Sequence, residues 1–261
     1  MASYVMIQLA CTLVVAFAVL PDCDTEDSER IIQANFSTIN DYPFMVSIRY
    51  EGFHRCSGAI IHERYIITVA HCIKAFQGKL FDNITVVSGT TYLDKGGIIH
   101  NVDAIYYHKE FNNFNSGFNI GLIRVRRNIE FNDVQDMIPL LDSGCVQNCY
   151  PLSEKIVNVG WSKHSNSGPV MSVLQISESI AMDNKLYETY FNRNITAEFC
   201  LFMEPKLGIC YGDMSSIVLC NGNFVGLGSI GTCNPEYPDI ITDVCMHITW
   251  IREILYENND I

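Results

Sequence analysis

The sequence predicts an all-β protein, and three observations carry that reading. From Tyr42 onward, short apolar stretches alternate with turn residues at the spacing of a many-stranded fold. Hydrophobic residues make up 48% of the 261 and charged residues 18%, a composition that can bury a core. Helical periodicity shows in one place only, close to the C-terminus.

Taken in order, the first expected strands are Phe44–Ile48, Ser57–Ile61, Tyr65–Val69 and Ile84–Ser88. Ile98–Tyr107, Ile120–Val125, Ile156–Gly160 and Leu174–Ile180 continue the series. Ser216–Leu219, Phe224–Ile230 and Ile240–Val244 complete it. Ile248, Trp250, Ile251, Ile254 and Leu255 then recur at helical spacing with Arg252 and Glu253 between them, so 246–256 is expected as an amphipathic terminal helix.

Residues 1–20 form an apolar run that reads as a secretion signal, although no Lys or Arg opens it; a retained anchor is the alternative. No later stretch is long and apolar enough to span a bilayer, so no membrane association is expected after processing. Residues 21–30 read as an acidic propeptide, with Asp22, Asp24, Glu26, Asp27 and Glu29 closed by Arg30. The formal charge is −12, and 24 acidic against 16 basic residues remain beyond position 30. Such a surface argues against nucleic acid and anionic lipid, and it is compatible with basic patches on other proteins.

Eleven cysteines behind a secretion signal imply disulfides. Setting Cys11 and Cys23 aside with the N-terminal segments leaves an odd number, so they cannot all pair within one chain. Sequons at Asn35, Asn83 and Asn194 are open to glycosylation. The seven histidines show no close ligand spacing with acids or thiols, so neither a metal nor a cofactor is expected.

Four local patterns carry chemistry. Cys56-Ser57-Gly58-Ala59-Ile60-Ile61 followed by Ile67-Thr68-Val69-Ala70-His71-Cys72 sets a histidine behind a β-branched stretch. Asn119-Ile120-Gly121-Leu122-Ile123 is the second, and the third runs Cys210-Tyr211-Gly212-Asp213-Met214-Ser215-Ser216-Ile217-Val218-Leu219-Cys220. Glu29-Arg30-Ile31-Ile32 is the fourth, a basic residue before two β-branched ones. Singly each has a plain reading: an ordinary buried or surface histidine, a solvated arginine. Together they resemble the chymotrypsin/trypsin family of serine proteases over essentially all of 31–261.

The resemblance implies two packed six-stranded antiparallel β-barrels, about 31–140 and 141–245, with the ancestral cleft between them. It makes His71 the general base, Asn119 the holder of the acid position and Met214 the holder of the nucleophile position. A thioether has no proton to give up and forms no acyl-enzyme, while an amide does not hold the imidazole as a carboxylate does. Ser215 stands one residue out of register, about one 3.8 Å Cα step, and is no substitute nucleophile. Cleavage between Arg30 and Ile31 would free an amino group to pair with Asp213. The oxyanion donors would be the backbone N–H groups of Gly212 and Met214, and Ser215-Ser216 replaces the family's glycine pair.

Gly208 falls at the floor of the specificity pocket and Asp239 at a pocket wall, where a carboxylate obstructs substrate side chains. Ser229 to Gly231 form the strand that meets substrate backbone. The implied disulfides are Cys56–Cys72 and Cys210–Cys233, with Cys245 bonded to Cys149 or Cys145. The usual partners of Cys200 and Cys220 are missing, with Leu186 and Ile156 near their places, so these pairings stay open. Within the family, the pattern is similar to the scabies mite inactivated serine protease paralogues, relatives of the mite group 3 allergens. That implies a secreted gut or faecal protein, with host proteins as partners, complement recognition components among them. The rival expectations are a weak residual hydrolase and a decoy or regulator of active proteases.

Overall fold

In the computed structural model the described residues are 35–113, 116–141, 156–161, 170–181, 197–203, 215–231 and 237–258. Thirteen strands and two helices lie among them. The first barrel uses β2 (Met45–Tyr50), β3 (Phe53–His62), β4 (Tyr65–Thr68), β5 (Ile84–Ser88), β6 (Ile98–Tyr107) and β7 (Gly121–Val125). They close antiparallel in the order β2-β3-β4-β7-β6-β5. All of β4 is buried, and β3 buries six residues in succession, from Cys56 to Ile61. One barrel face cannot hide six consecutive side chains. The second face of β3 is covered because the other barrel packs on it, as Gly160 lies beside Ser57.

The second barrel is built from β8 (Ile156–Gly160), β9 (Gln175–Ala181), β10 (Glu198–Met203), β11 (Ile217–Cys220), β12 (Asn223–Ile230) and β13 (Asp239–Asp243). The sheet runs β9-β10-β13-β12-β11-β8 and closes through β8 on β9. The two-barrel architecture expected from the sequence is therefore present. Two strands were not expected. The two-residue β1 (Asn35–Phe36) pairs with β9, so a segment ahead of the first barrel adds an edge to the second. Strand β10 lies between β9 and β13. Its run Phe-Cys-Leu-Phe-Met shows no alternation, and strand and buried helix look alike in so short an apolar stretch.

The terminal helix α2 occupies Ile248–Glu257, later than the expected 246–256, because Cys245–His247 form a 3-10 turn first. Asp243 Oδ1 accepts from the backbone N–H of Cys245 at 2.9 Å and of Met246 at 3.3 Å, which holds that tighter turn. Ile248, Ile251 and Leu255 are the buried face of the helix.

A single apolar cluster runs from Met45, Ile60 and Ile67 in the first barrel to Trp161, Leu227 and Phe224 in the second. Backbone bonds reinforce the seam: Leu93 N–H donates to Ser172 at 2.8 Å and Leu174 N–H to Thr91 at 2.9 Å. Trp161, fully buried, donates its indole N–H to the Thr91 carbonyl at 3.0 Å. Close approach within the first barrel depends on Gly58, where a Cβ would lie 2.8 Å from the Ile67 carbonyl oxygen and 2.9 Å from Ile66 Cγ2. Gly58→Ala should therefore destabilise the protein by about 1–3 kcal/mol in denaturant titration, since the backbone oxygen cannot swing aside. An unchanged midpoint would show that the β3–β4 approach is not tight.

Candidate active site

Val69 follows β4 and holds the N-cap position of the short helix α1 (Ala70–Lys74), which delivers His71 to the edge of the first barrel. The next residue, Cys72, is bonded to Cys56 on β3, so the helix is tied to the strand behind it. Asn119 sits two residues before β7 and is fully buried. The fold brings these two together from 48 residues apart.

Three contacts fix the side-chain amide. The backbone N–H of His71 donates to Asn119 Oδ1 at 3.0 Å. The Nδ2 atom lies 2.9 Å from His71 Nδ1, against 3.3 Å for Oδ1 to the same nitrogen. Nδ2 also donates to Ser229 Oγ at 2.8 Å, and the main-chain carbonyl of Asn119 accepts from Thr242 Oγ1 at 3.2 Å. A backbone N–H can only donate, so the side-chain atom facing it is the oxygen. That leaves NH₂ toward the imidazole. An amide hydrogen donated to Nδ1 requires Nδ1 to be bare, which places the proton of the neutral ring on Nε2. Nε2 lies 3.6 Å from Cys72 Sγ, a weak acceptor, which agrees with that tautomer.

The electrostatics run the same way. Burial pushes the His71 imidazole down to about 4, and the hydrogen bond with Asn119 offsets only part of this. The ligand atoms of Cys56, His71 and Cys72 lie within 4.8 Å of one another, but the disulfide commits both sulfurs and leaves no thiolate for a metal.

The second barrel supplies the opposing wall. Ser229 is the extra residue of a bulge in β12, between the pairings Gly228↔Ile241 and Ile230↔Ile240. The bulge re-aims its hydroxyl at Asn119 across the seam. Sequence reading placed Ser229 on the substrate strand and did not foresee this bond. It missed the Thr242 contact altogether, and β13, buried along its whole length, carries no alternation that would have signalled it. Ser215, fully buried, keeps a left-handed φ of +69° despite its Cβ, with its N–H donating to Gly228 at 2.7 Å. Such an angle suits the glycine that the family places here and costs a serine on the order of 1 kcal/mol.

Asp239 is 1% exposed at the start of β13, opposite Leu201 of β10. Asn35 and Asn83 are both exposed, as a glycosylation acceptor must be. Cys220 and Cys245 are each held in a disulfide. Cys220 faces Ile156 across the β11–β8 ladder, so its bond reaches elsewhere than the family's usual position. Arg30, Ile31, Asn194, Gly208, Cys210, Gly212, Asp213, Met214, Cys233, Cys145 and Cys149 lie outside the described residues, as do the signal and propeptide segments. Gly231, the last residue of the segment expected to meet substrate backbone, is buried just beyond β12.

Comparison with known proteins agrees with this geometry. The family model for trypsin matches residues 31–251. Chymotrypsin-2 of Vespa crabro is 28% identical over 214 residues, 81% of this chain and 94% of the relative. Cationic trypsin-3 of Rattus norvegicus is 27% identical over 241 residues, 89% of this chain and 92% of the relative. Among solved structures, the scabies mite inactivated protease paralogue S-D1 superposes with a TM-score of 0.76 at 22% identity, covering 87% of this chain and 97% of that one. Human heparin binding protein gives 0.74 at 20% identity with the same coverage. With a family match over most of its length and two closed barrels meeting at His71 and Asn119, the chain belongs to the trypsin family.

Proposed function

We propose that this member of the trypsin family is a secreted, proteolytically inactive homologue that acts by binding proteins. The carrying observation is the amide of Asn119, which donates to His71 Nδ1. A general base must take the nucleophile's proton on Nε2, and here that nitrogen already bears one. Met214 at the nucleophile position supports the same reading, because it offers no proton to take. Secretion is supported by the apolar N-terminal run and the Cys56–Cys72 disulfide. No helix among the described residues is long and apolar enough to cross a membrane.

For partners, the proposal is host proteins, with complement recognition components first among them. It is supported by the sequence resemblance to the inactivated mite paralogues. Purified protein cleaved after Arg30 should leave peptide and ester substrates intact and should not label with a fluorophosphonate probe. Turnover that His71→Ala abolishes would refute inactivity. Complement-dependent lysis that stays unchanged when the protein is added in excess would refute the complement assignment alone.

A further inference from the structure

The connection from β6 to β7 is held to the terminal helix by a cluster of rings. His108, the first residue beyond β6, stacks on Phe118 with centroids 4.6 Å apart and planes inclined by 14°. Trp250 of α2 stands 5.4 Å from the His108 ring. His247, at the N-cap position of that helix, meets His108 edge-on at 5.6 Å. Phe118 closes the cluster, 5.7 Å from His247. One hydrogen bond crosses the same contact, from His247 Nε2 to the Gly117 carbonyl at 3.3 Å. Gly117 and Phe118 lead directly into Asn119, so this contact adjoins the amide that faces His71.

Neutral rings suit this contact and charged ones do not. His247 is 3% exposed, and burial pushes it down to about 4. Half-buried His108 is lowered as well, chiefly by burial; Glu110 and Glu253 pull the other way, and Lys109 adds to the fall. Its Nδ1 accepts from the Glu110 backbone N–H at 3.3 Å, so a proton arriving there displaces that bond. With the rings 5.6 Å apart, a charge on one disfavours a charge on the other. Asp243, which holds the turn leading to His247, gains its proton as pH falls through about 6 and works against opening. An imidazole released to water returns toward 6.5. Above that pH neither arrangement binds the proton and the contact has its full strength. As pH falls toward 4, released rings take up protons that the packed rings refuse.

We propose that the His108–His247 contact is an acid-released clasp, which on protonation frees Gly117 and Phe118 from the terminal helix and loosens the adjoining Asn119. The face around His71 then has one form near neutral pH and another in acid. Between pH 6.5 and its packed value, each ring raises the released population by up to about tenfold per pH unit. Release stays local. The Tyr107↔Gly121 pairing stands between the clasp and the first barrel, and the ladder there is held by backbone groups that do not titrate. The clasp does not depend on whether the chain is proteolytically inactive.

The test uses the full secreted protein carrying 5-fluorotryptophan, followed by fluorine NMR with a neutral gadolinium chelate as a probe of exposure. The chain has two tryptophans, Trp161 in the seam and Trp250 in the clasp. As pH falls from 7.5 to 4.5, the Trp250 signal should shift and be broadened by the chelate while Trp161 is still unaffected. His247→Gln keeps a donor for the Gly117 carbonyl without titrating, and His108→Phe keeps the stack on Phe118. Each should lower the released population at pH 5 by about tenfold, and the double variant should respond to neither acid nor chelate. The Asn119 side-chain amide should broaden over the same range and stay sharp in the double variant. A Trp250 signal that never responds, or one that responds only together with Trp161, overturns the proposal. So does a double variant that responds like the original protein. An Asn119 amide unchanged while Trp250 responds overturns the link to the site.

Discussion

Restoring the hydroxyl alone, as Met214→Ser, should leave ester and amide hydrolysis about 10³- to 10⁴-fold below that of the double variant Met214→Ser/Asn119→Asp. The reason lies at Asn119. With the amide in place, His71 keeps its proton on Nε2 and cannot accept another from a new serine. With a carboxylate, one oxygen still accepts from the His71 backbone N–H, and the other accepts from Nδ1–H and from the Ser229 hydroxyl. Every contact of the present amide thus has a counterpart, and the tautomer reverses. In serine proteases generally, the acid-to-amide change costs about 10⁴-fold, or about 5 kcal/mol of transition-state stabilisation. The pH profile separates chemistry from repacking. The double variant should show an acid limb with its midpoint above the present His71 value of about 4, because an adjacent carboxylate favours imidazolium. Ordinary trypsin-like rates from Met214→Ser alone would mean that the amide does not set the tautomer.

Acid should destabilise the fold well before its carboxylates of ordinary pKa titrate. Burial pushes His54 down to about 3, and His71 and His247 to about 4. His54 is half-buried, but its Nε2 is enclosed, and Arg49 nearby disfavours a second positive charge. His108 does the same to His247, whose Nε2 donates to the Gly117 carbonyl at 3.3 Å. The folded values lie below the ordinary 6.5, so above pH 6.5 both states are neutral and stability is complete. As pH falls from 6.5 toward 4, the unfolded chain gains protons that the folded one refuses. Each histidine then costs up to about 1 kcal/mol per pH unit.

Asp243 opposes this trend. Burial pushes its carboxyl up to about 6, so its penalty is present at pH 7 and is relieved as pH falls through 6 toward 4. One group opposes three, so the melting temperature should fall between pH 6.5 and 4.5. Asp243→Asn, which keeps the acceptor for the Cys245 and Met246 amides, should raise stability at pH 7 by about 1–2 kcal/mol and steepen the acid decline. A melting temperature flat over that range would refute the assignment of buried neutral histidines.

The strands that alternate or run apolar between turn residues were legible because their periodicity is local. Tyr65–Thr68 and Ile84–Ser88 are examples, each within a residue of its expected bounds. Strand β10 was not, since Phe199 to Phe202 are apolar throughout and become a strand only by lying between β9 and β13. Asn35–Phe36 is too short to announce itself and exists through its pairing with Gln175 and Ile176. At the site, the identities of His71, Asn119 and Met214 were readable from their flanking residues. The bond from Asn119 to Ser229 joins positions 110 residues apart, through a bulge that no local pattern encodes.

The sequence by itself determined the family, the strand-rich class and the thioether of Met214 where the resemblance expects a hydroxyl, because these depend on which atoms the chain carries and in what order. The tertiary structure decided which way an amide faces and which histidines stay uncharged. Those outcomes depend on distances, and distances between remote residues exist only after the barrels have closed and expelled water from the seam.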